Sequence, residues 1–433
     1  MGGGLLQLVA MGAQDAYLSG NPQITFWKGM FKRHTNFAME PFRANLTGQA
    51  NWGVKHSVTL PRNADLLYST YLEVVMPPGA VVNCERGRLG YNLIKYVELE
   101  IGGQRIDRLY SEWLYLWDSL TSEYIKSAKL CRMINSNLGD SSDTIPASNV
   151  CNVGSGRPSL PTTLYIPLPF FYTRNPGAAL PLIALQYHEV KINIQWQSVE
   201  FVKGDFTSTT VLPPPVQAAV YVDYIYLDVE ERRRMAQESH EYLIEQVQYN
   251  EDKGISSFNN RIDLTFNHPV KELVWVVQPS DYTNCKLAKS NGRNGQSGTN
   301  GTRLTPFTYD IRAVYKQRLQ INGQDRMEER YGDYYNKVQP YQHHTGTTNT
   351  YGAGHPEGQP GVYLYSFALK PEEHQPSGTC NFSRIDTATL VIDLAGDVQI
   401  DPDTDKTFEV RVYAVNYNIL RVMSGMAGLA YSN

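Results

Sequence analysis

Two short segments of the chain carry side chains of the kinds that bind metal ions. His343 and His344 are adjacent in a polar stretch that has no carboxylate at ligand spacing in the sequence, so we expect a solvated pair. Residues 401–405 begin like a calcium-binding loop, with aspartates at alternating positions. Lys406 stands where such a loop needs glycine, and Val412 stands where it needs a bidentate glutamate. We therefore expect no metal site, and we expect residues 401–405 to form a turn between strands.

Motifs for catalysis and for cofactor binding are absent from the sequence. It contains no GxSxG, HExxH, P-loop or GxGxxG pattern, and no carboxylate pair or triad of the kind a hydrolase needs. The cysteines are five and scattered, without the CxxC spacing of a zinc site or the density of a disulfide scaffold: Cys84, Cys131, Cys151, Cys285 and Cys380. The sequence thus predicts no catalytic residue, no cofactor and no enzyme.

The stretch 26–37 interleaves aromatic residues with Lys28, Lys32 and Arg33, which is a pattern that can stack on single-stranded nucleic acid. The whole chain, however, has a formal net charge of −4 and no basic tail. So few cations on an acidic chain do not favour nucleic-acid binding. We expect this stretch to pack beneath the first part of the fold, and we expect no direct contact with nucleic acid.

The elements that would position any site are mainly strands. Of the 433 residues, 42% are hydrophobic and 19% are charged, and 29 are tyrosines, which favours sheets joined by turns. Polar and apolar residues alternate with a period of two, as in strands buried on one face, in the segments 54–60, 96–101, 191–197, 261–266 and 389–394. Antiparallel β-sandwiches have this pattern.

A helix is predicted where large apolar residues recur at spacings of three and four, namely Trp113, Leu116, Trp117, Leu120 and Tyr124. Such an aromatic stripe is typical of packing against a sheet. A second, shorter helix is predicted over residues 326–337. Long polar stretches rich in Gly, Ser, Thr, Asn and Pro are predicted to be projecting loops, at 135–161, 203–215, 283–306 and 343–360.

The sequence also resembles itself. Residues 99–107 match residues 319–327 at an offset of 220, and both read as a strand, a tight turn and a returning strand. Two shorter matches follow the same order: residues 74–77 with 276–279 at an offset of 202, and residues 190–194 with 390–394 at an offset of 200. Chance matches would not keep one order and a nearly constant offset, so we infer a duplication into two similar sandwich lobes.

Landmarks along almost the whole chain resemble those of one family, the major capsid proteins of large nucleocytoplasmic DNA viruses. The nearest groups that the resemblance lets us name are the capsid proteins of chlorella viruses, iridoviruses and marseilleviruses. The resemblance is carried, in the family's order, by residues 12–26, 32–37, 101–104 with the following helix, 180–190, 266–275, 378–386 and 413–425.

The resemblance implies an all-β fold of two tandem eight-stranded jelly rolls, a double jelly roll, with short helices in the loops between strands. We expect residues 1–30 to form an amino-terminal arm on the inner capsid face. Residues 31–215 are expected to form the first jelly roll and residues 216–433 the second, with the strands of 216–250 shared between them.

The family's function is structural. The resemblance implies that three copies form a pseudo-hexagonal capsomer and that capsomers tile the icosahedral shell of the virion, after assembly in the host cytoplasm or viral factory. Expected partners are neighbouring capsomers, minor capsid and penton proteins, and an internal viral membrane. A carbohydrate-binding or receptor-binding β-sandwich protein remains the alternative, because it would have the same composition, aromatic residues and loops.

Three sequons provide candidate glycosylation sites, at Asn45, Asn300 and Asn381. Of these, only Asn300 lies in a predicted loop.

Overall fold

The computed structural model describes residues 2–77, 89–134, 162–203, 214–279, 313–346, 361–394 and 407–431. The predicted loops 135–161 and 283–306 and the turn 401–405 lie outside these ranges, as does most of each of the loops 203–215 and 343–360. The chain divides into two compact units, Met1–Phe37 and Ala38–Asn433. The second unit contains the sheets.

The amino-terminal unit, taken by itself, has two short helices, α1 (Gly3–Val9) and α2 (Ala16–Ser19). Its apolar side chains are solvent-exposed: Phe26, Trp27 and Phe31 have relative exposures of 102%, 94% and 90%. Their spacing has neither the helical nor the strand period that would bring them onto one buried face within this unit. The expectation that they pack beneath the first lobe stays a prediction.

The first lobe extends to residue 227 and is built from nine described strands. In chain order they are β1 (Phe37–Asn45), β2 (Lys55–Leu60), β3 (Leu66–Met76), β4 (Ile94–Ile101), β5 (Gln104–Tyr110), β6 (Thr162–Pro167), β7 (Leu180–Pro181), β8 (Val190–Trp196) and β9 (Gln217–Leu227).

The second lobe contains the remaining described strands. They are β10 (His240–Ile255), β11 (Asn259–Asp263), β12 (Pro269–Pro279), β13 (Val314–Ile321), β14 (Gln324–Asp325), β15 (Arg330–Tyr331), β16 (Val362–Ser366), β17 (Cys380–Asn381), β18 (Ala388–Leu394), β19 (Phe408–Met423) and β20 (Met426–Leu429).

The helices of the second unit lie between strands. They are α3 (Leu89–Asn92), α4 (Ser111–Thr121), α5 (Tyr124–Ile134), α6 (Phe171–Arg174), α7 (Val199–Lys203), α8 (Val229–Gln237) and α9 (Gln339–His343). The predicted aromatic helix is confirmed as α4, although Tyr124 begins the next helix. The helix predicted over 326–337 is displaced, because β15 occupies residues 330–331 and a π-helical turn, Tyr334–Val338, leads into α9.

Both lobes follow the same path through two sheets. In the first lobe the strand orders are β1-β9-β3-β6 and β2-β8-β4-β5, and in the second lobe they are β10-β19-β12-β16 and β11-β18-β13-β14. Counting the eight principal strands of each lobe in chain order, both lobes give 1-8-3-6 and 2-7-4-5. This order is a jelly roll, so the predicted double jelly roll and the inferred duplication are confirmed.

Equivalent hairpins of the two lobes have matching turns. Gly102 and Gly103 join β4 to β5, and Asn322 and Gly323 join β13 to β14, all four with positive φ. Two successive left-handed residues form the type I′ turn that suits the twist of a two-residue hairpin. The sequence match at an offset of 220 therefore reflects a repeated turn geometry.

Residues 74–77 and 276–279 lie in equivalent strands of the two lobes. The sequence offset of 202 between them, however, aligns these strands one residue out of register. Val74 faces the core of the first lobe, between Leu72 and Met76. In β12 the residues that face the second lobe's own core are Leu273, Trp275 and Val277 instead. Because side chains alternate along a strand, the offset of 202 places Val276 on the opposite face of its sheet.

Strand pairing divides the shared stretch 216–250 between the lobes. β9 pairs with β3 and β1 and so completes a sheet of the first lobe, whereas β10 pairs with β19 in the second lobe. Between them lies α8, whose side chains are all at least partly exposed and whose amino end is capped by Asp228. Residues 230–234 thus belong to a helix that connects the two lobes.

The sheet β10-β19-β12-β16 is buried on both faces. On one face, Leu273 and Trp275 pack into the core of the second lobe. On the other face, Val274, Val276 and Tyr413 join the cluster of buried residues that contains the core of the first lobe. This double burial explains why β12 and β16 have apolar residues at consecutive positions instead of alternating.

The turn at Gly102 yields a test of the hairpin geometry. A Cβ at Gly102 would lie 2.3 Å from the His188 ring, whereas a Cβ at Gly103 would have nothing within 4 Å. Both residues have left-handed φ, which costs a non-glycine residue about 1–2 kcal/mol. We expect Gly102→Ala to lower the melting temperature, measured by scanning calorimetry, clearly more than the control Gly103→Ala. Equal effects would contradict the close packing of His188 on the turn.

Candidate functional site

The contact between the two lobes is formed by helix α4 of the first lobe and the outer face of sheet β10-β19-β12-β16 of the second. The helix follows directly from β5, and the Ser111 hydroxyl donates to the Tyr91 carbonyl oxygen at 2.6 Å. Trp113 is fully buried, and its ring lies 5.4 Å from the ring of Tyr413 in β19. At the end of β5, Tyr110 packs at 4.5 Å against Tyr249 of β10. Aromatic pairs thus bring the two lobes into direct contact.

A buried ion pair lies at the centre of this interface. The Arg411 guanidinium donates from Nε and Nη2 to the two carboxylate oxygens of Glu112, both at 2.7 Å. Gln278 and Glu409 also accept hydrogen bonds from Arg411, at 2.5 and 3.1 Å, and the Tyr413 hydroxyl donates to Glu112 at 2.6 Å. Burial and the neighbouring Glu112 carboxylate raise the pKa of Tyr413 well above its usual value, so it remains a donor. Bidentate geometry fixes the angle of the helix on the sheet as well as its position.

A second buried carboxylate bridges the lobes beside α6. Glu245 of β10 accepts from Arg174 of the first lobe at 2.7 Å and pairs with Lys271 of β12 at 2.8 Å. The Arg174 guanidinium also lies 4.1 Å above the ring of Trp117. Lys271 is fully buried, and its ammonium group donates to the Pro371 carbonyl oxygen at 2.5 Å. Each buried charge therefore has partners, as burial requires.

Asp107 of β5 reaches the second lobe through the backbone. Its carboxylate accepts from the Val247 backbone N–H at 3.1 Å and from the Arg108 backbone N–H at 2.9 Å. Burial outweighs these hydrogen bonds and raises the pKa of Asp107 to about 6.

His344 lies between two carboxylates close to this interface. Nε2 is 2.9 Å from Glu272 and Nδ1 is 2.9 Å from Glu372, and the side chain is 1% exposed. Burial alone would lower the pKa of His344, but the two carboxylates raise it to about 9, so the ring is a buried imidazolium. The expectation of a solvated pair is wrong for His344. Its partners lie 72 and 28 residues away in the sequence, beyond the reach of any local spacing argument.

The residues after His344 attach to the carboxyl end of α4. Thr345 donates through its backbone N–H and its hydroxyl to Glu372, at 2.9 and 2.6 Å. The Gly346 N–H donates to the Leu120 carbonyl oxygen at 2.7 Å, and a Cβ at Gly346 would lie 2.2 Å from that oxygen. Residues 344–346 thus hold a helix terminus of the first lobe through a carbonyl that the helix itself leaves unpaired.

The sequence predicted helix α4, but it did not predict the charged contacts that join the two lobes.

Two of the three candidate glycosylation sites are described: Asn45 is exposed at the end of β1, and Asn381 is exposed at the end of β17. The Asn381 side chain accepts a hydrogen bond from the Ser383 N–H at 3.1 Å. Asn300 and the segment 401–405 lie outside the described residues.

Within the ranges described, no three His, Cys, Asp or Glu side chains are grouped as a metal site would require. In the same ranges, none of the helices combines the length and the apolar content needed to cross a bilayer.

Two models of known protein families match this chain, one over each lobe. Residues 25–228 match the family model described as "Major capsid protein N-terminus", and residues 231–428 match the model described as "Large eukaryotic DNA virus major capsid protein". The junction of the two matches falls at the start of α8, where strand pairing also divides the chain.

The chain is similar over its full length to named capsid proteins. It is 47% identical to the major capsid protein of Pyramimonas orientalis virus and 40% identical to that of Paramecium bursaria Chlorella virus 1, with 100% of both chains covered in each case. A quasi-atomic model of the PBCV-1 virus capsid superposes with a TM-score of 0.76 at 36% identity, covering 94% of this chain and 100% of the other. The Faustovirus major capsid protein shares the fold, with a TM-score of 0.71 at 11% identity over 95% of this chain and 94% of the other.

The ion pair at the interface leads to a prediction about stability. Removing one partner of a buried ion pair typically costs about 3–5 kcal/mol, and here it takes both bidentate hydrogen bonds from Arg411 while the bond to Glu409 persists. We expect Glu112→Ala to destabilise the protein by that order in urea unfolding. The matched control is Glu241→Ala, which breaks an ion pair to Arg421 whose side chains are 62% and 52% exposed, and it should cost less than about 1 kcal/mol. Comparable losses from the two variants would show that the Glu112–Arg411 pair does not hold the lobes.

His344 leads to a prediction about pH. Its pKa is about 9 in the folded chain, against an ordinary value of 6.5. A raised folded-state pKa gives stability that is complete below about pH 6.5 and is lost as the pH rises through about 9. We expect the melting temperature of the unmodified chain to fall between pH 6.5 and 9.5, and that of His344→Gln to fall less. Parallel curves for the two proteins would show that another group titrates.

Proposed function

The chain belongs to the major capsid protein family of large eukaryotic DNA viruses, and on this premise we propose that three copies assemble into a capsomer with a pseudo-hexagonal outline. Its function is structural, as the major protein of a viral capsid. The observation that carries the proposal is the repetition of one strand order in two lobes of a single chain. Two similar lobes around a threefold axis give six similar lobes, and a hexagonal tile covers a surface without gaps.

A fixed angle between the lobes supports this proposal. A tile keeps its outline only if the lobes of each chain do not rotate against each other. The bidentate Glu112–Arg411 pair, the Glu245 bridge and the attachment of Gly346 to α4 fix that angle at three places. In the proposed capsomer the protein has no enzymatic role, and its working surfaces are the flanks of the lobes.

The proposed partners follow from the same arrangement. Capsomers contact neighbouring capsomers through their flanks, and minor capsid and penton proteins complete the icosahedral shell of the virion. We assign residues 1–30 to the inner face, where their exposed apolar side chains would meet minor capsid proteins or an internal viral membrane. Assembly would take place in the host cytoplasm or viral factory, and glycosylation at Asn45, Asn300 and Asn381 is part of the same proposal. Direct contact with the genome is not part of it.

The masses of the full chain and of a truncated chain in solution test the proposal. The full chain of 48.9 kDa should elute as a species of three times that mass in size-exclusion chromatography with light scattering. Deletion of residues 2–31, which lie in the separate amino-terminal unit, should leave that mass unchanged apart from the removed residues. In electron micrographs, shells should form from the full chain with its co-expressed minor proteins and not from the truncated chain.

Two results would contradict these assignments. A monomeric full chain would refute the trimer. Loss of folding on deletion, measured by circular dichroism, would refute the assignment of residues 2–31 to an arm that serves assembly alone.

A further inference from the structure

The interface between the lobes leaves two complementary surfaces exposed. In the first lobe, the helix that follows the β4–β5 hairpin covers the outer face of a sheet in the second lobe. Because the lobes are duplicates, the second lobe has its own version of that helical segment, and the first lobe has its own version of that sheet face. Among the residues that the structure describes in one chain, neither of these is seen with a counterpart.

The corresponding sheet face of the first lobe belongs to β1-β9-β3-β6 and is partly exposed. In β3, Leu72 and Val74 point into the core, so the alternate residues point outward. We call this surface the tyrosine face, and its residues are Tyr71, Glu73, Val75, Tyr165, Tyr221 and Asp223. In the second lobe the residues on the corresponding face, such as Val274, Val276 and Leu364, are 0% exposed.

The tyrosine face has the character of an interface. The rings of Tyr71 and Tyr221 stack at 5.2 Å with an interplanar angle of 2°, and Tyr165 meets Tyr71 edge-on at 6.1 Å. Partial burial, followed by the charge of Asp223, raises the pKa of Tyr71. Tyr165 is nevertheless 38% exposed. Tyrosines that offer apolar rings with a polar tip are enriched where protein surfaces meet.

The second surface lies in the second lobe, and its position follows from strand register. Tyr110 pairs with Tyr96 in the first lobe, and Tyr331 pairs with Lys316 in the second, at the position that the repeat makes equivalent. Counting onward from each tyrosine, Trp117 corresponds to Val338 and Leu120 to Tyr341. Trp117 and Leu120, which belong to or pack against the cluster that contains the first lobe's core, thus have counterparts in the second lobe.

These counterparts are exposed. Tyr331 is 60% exposed, Val338 38% and Tyr341 88%, whereas Leu120 is 2% exposed. Two more exposed apolar side chains adjoin them. Tyr315 packs its ring at 5.5 Å against Tyr331, and Leu369 lies beside α9, where its carbonyl oxygen is 3.1 Å from His343 Nδ1. We call Tyr315, Tyr331, Val338, Tyr341 and Leu369 the helix patch.

We propose that the helix patch of one copy docks on the tyrosine face of the next copy, repeating between chains the contact that joins the lobes within a chain. The contact is head-to-tail, because each copy gives one surface and receives the other. Such a contact closes into a ring when the rotation between successive copies permits it. In a ring of three copies with two lobes each, contacts within a chain alternate with contacts between chains around the six lobes. This inference rests on the proposed trimer and assigns its surfaces.

Arginine substitutions on the two surfaces test the assignment separately. Tyr341→Arg alters the helix patch and Tyr165→Arg alters the tyrosine face. Both side chains are exposed in the single chain, so each variant should fold with an unchanged circular dichroism spectrum. We expect each to shift the mass in light scattering from three times 48.9 kDa to 48.9 kDa. The matched control is Tyr431→Arg, at a 60% exposed tyrosine outside both surfaces, and it should remain trimeric.

A mixture of the two variants tests the direction of the contact. A Tyr341→Arg chain retains its tyrosine face, and a Tyr165→Arg chain retains its helix patch, so the mixture should form a one-to-one complex that neither variant forms alone. If the unmodified chain is trimeric and both variants are also trimeric, the surfaces are assigned wrongly while the capsomer proposal stands. If the unmodified chain is monomeric, both proposals fail.

Discussion

Burial of one sheet on both faces is the constraint on which the rest of the structure depends. The sheet β10-β19-β12-β16 has a core of its own beneath one face, and its other face carries buried apolar residues such as Val274, Val276 and Tyr413 beside the charged Arg411. Exposed to water, that second face would be a large hydrophobic patch, which folded chains do not leave open without a partner. Helix α4 covers it. The two lobes are therefore not independent domains on a flexible linker, and the second lobe needs the first to complete its burial.

Charge within this apolar contact gives the lobes a defined orientation. Apolar packing alone tolerates sliding and rotation, because it is proportional to area and has no direction. The two parallel hydrogen bonds from Arg411 to Glu112 can form in only one relative orientation of the lobes. His344, bound between Glu272 and Glu372, positions the segment that holds the end of α4. Buried ion pairs contribute little net stability compared with apolar substitutes, and their established use is to specify one arrangement among several. In a protein that forms tiles, the orientation of the lobes is the property that assembly needs.

Most of the fold could be predicted from the sequence, because alternation, the aromatic stripe and the repeated hairpin are local signals. Val58, Leu99 and Ile192 alternate with polar neighbours, and each lies in a strand as predicted. The site could be predicted only in part. Glu112 and Arg411 are 299 residues apart, and no spacing rule relates two single charges at that distance. The displaced second helix has the same cause, because pairing of residues 330–331 with β13 overrides a local preference for helix.

Single-particle cryo-electron microscopy of the purified chain tests the central claim most directly, because it shows the lobes and their angle together. The account predicts one particle with threefold symmetry and six similar lobes, in which the angle between the lobes of one chain equals the angle between lobes of neighbouring chains. Particles with lobes at variable angles, or a twofold dimer, would contradict it.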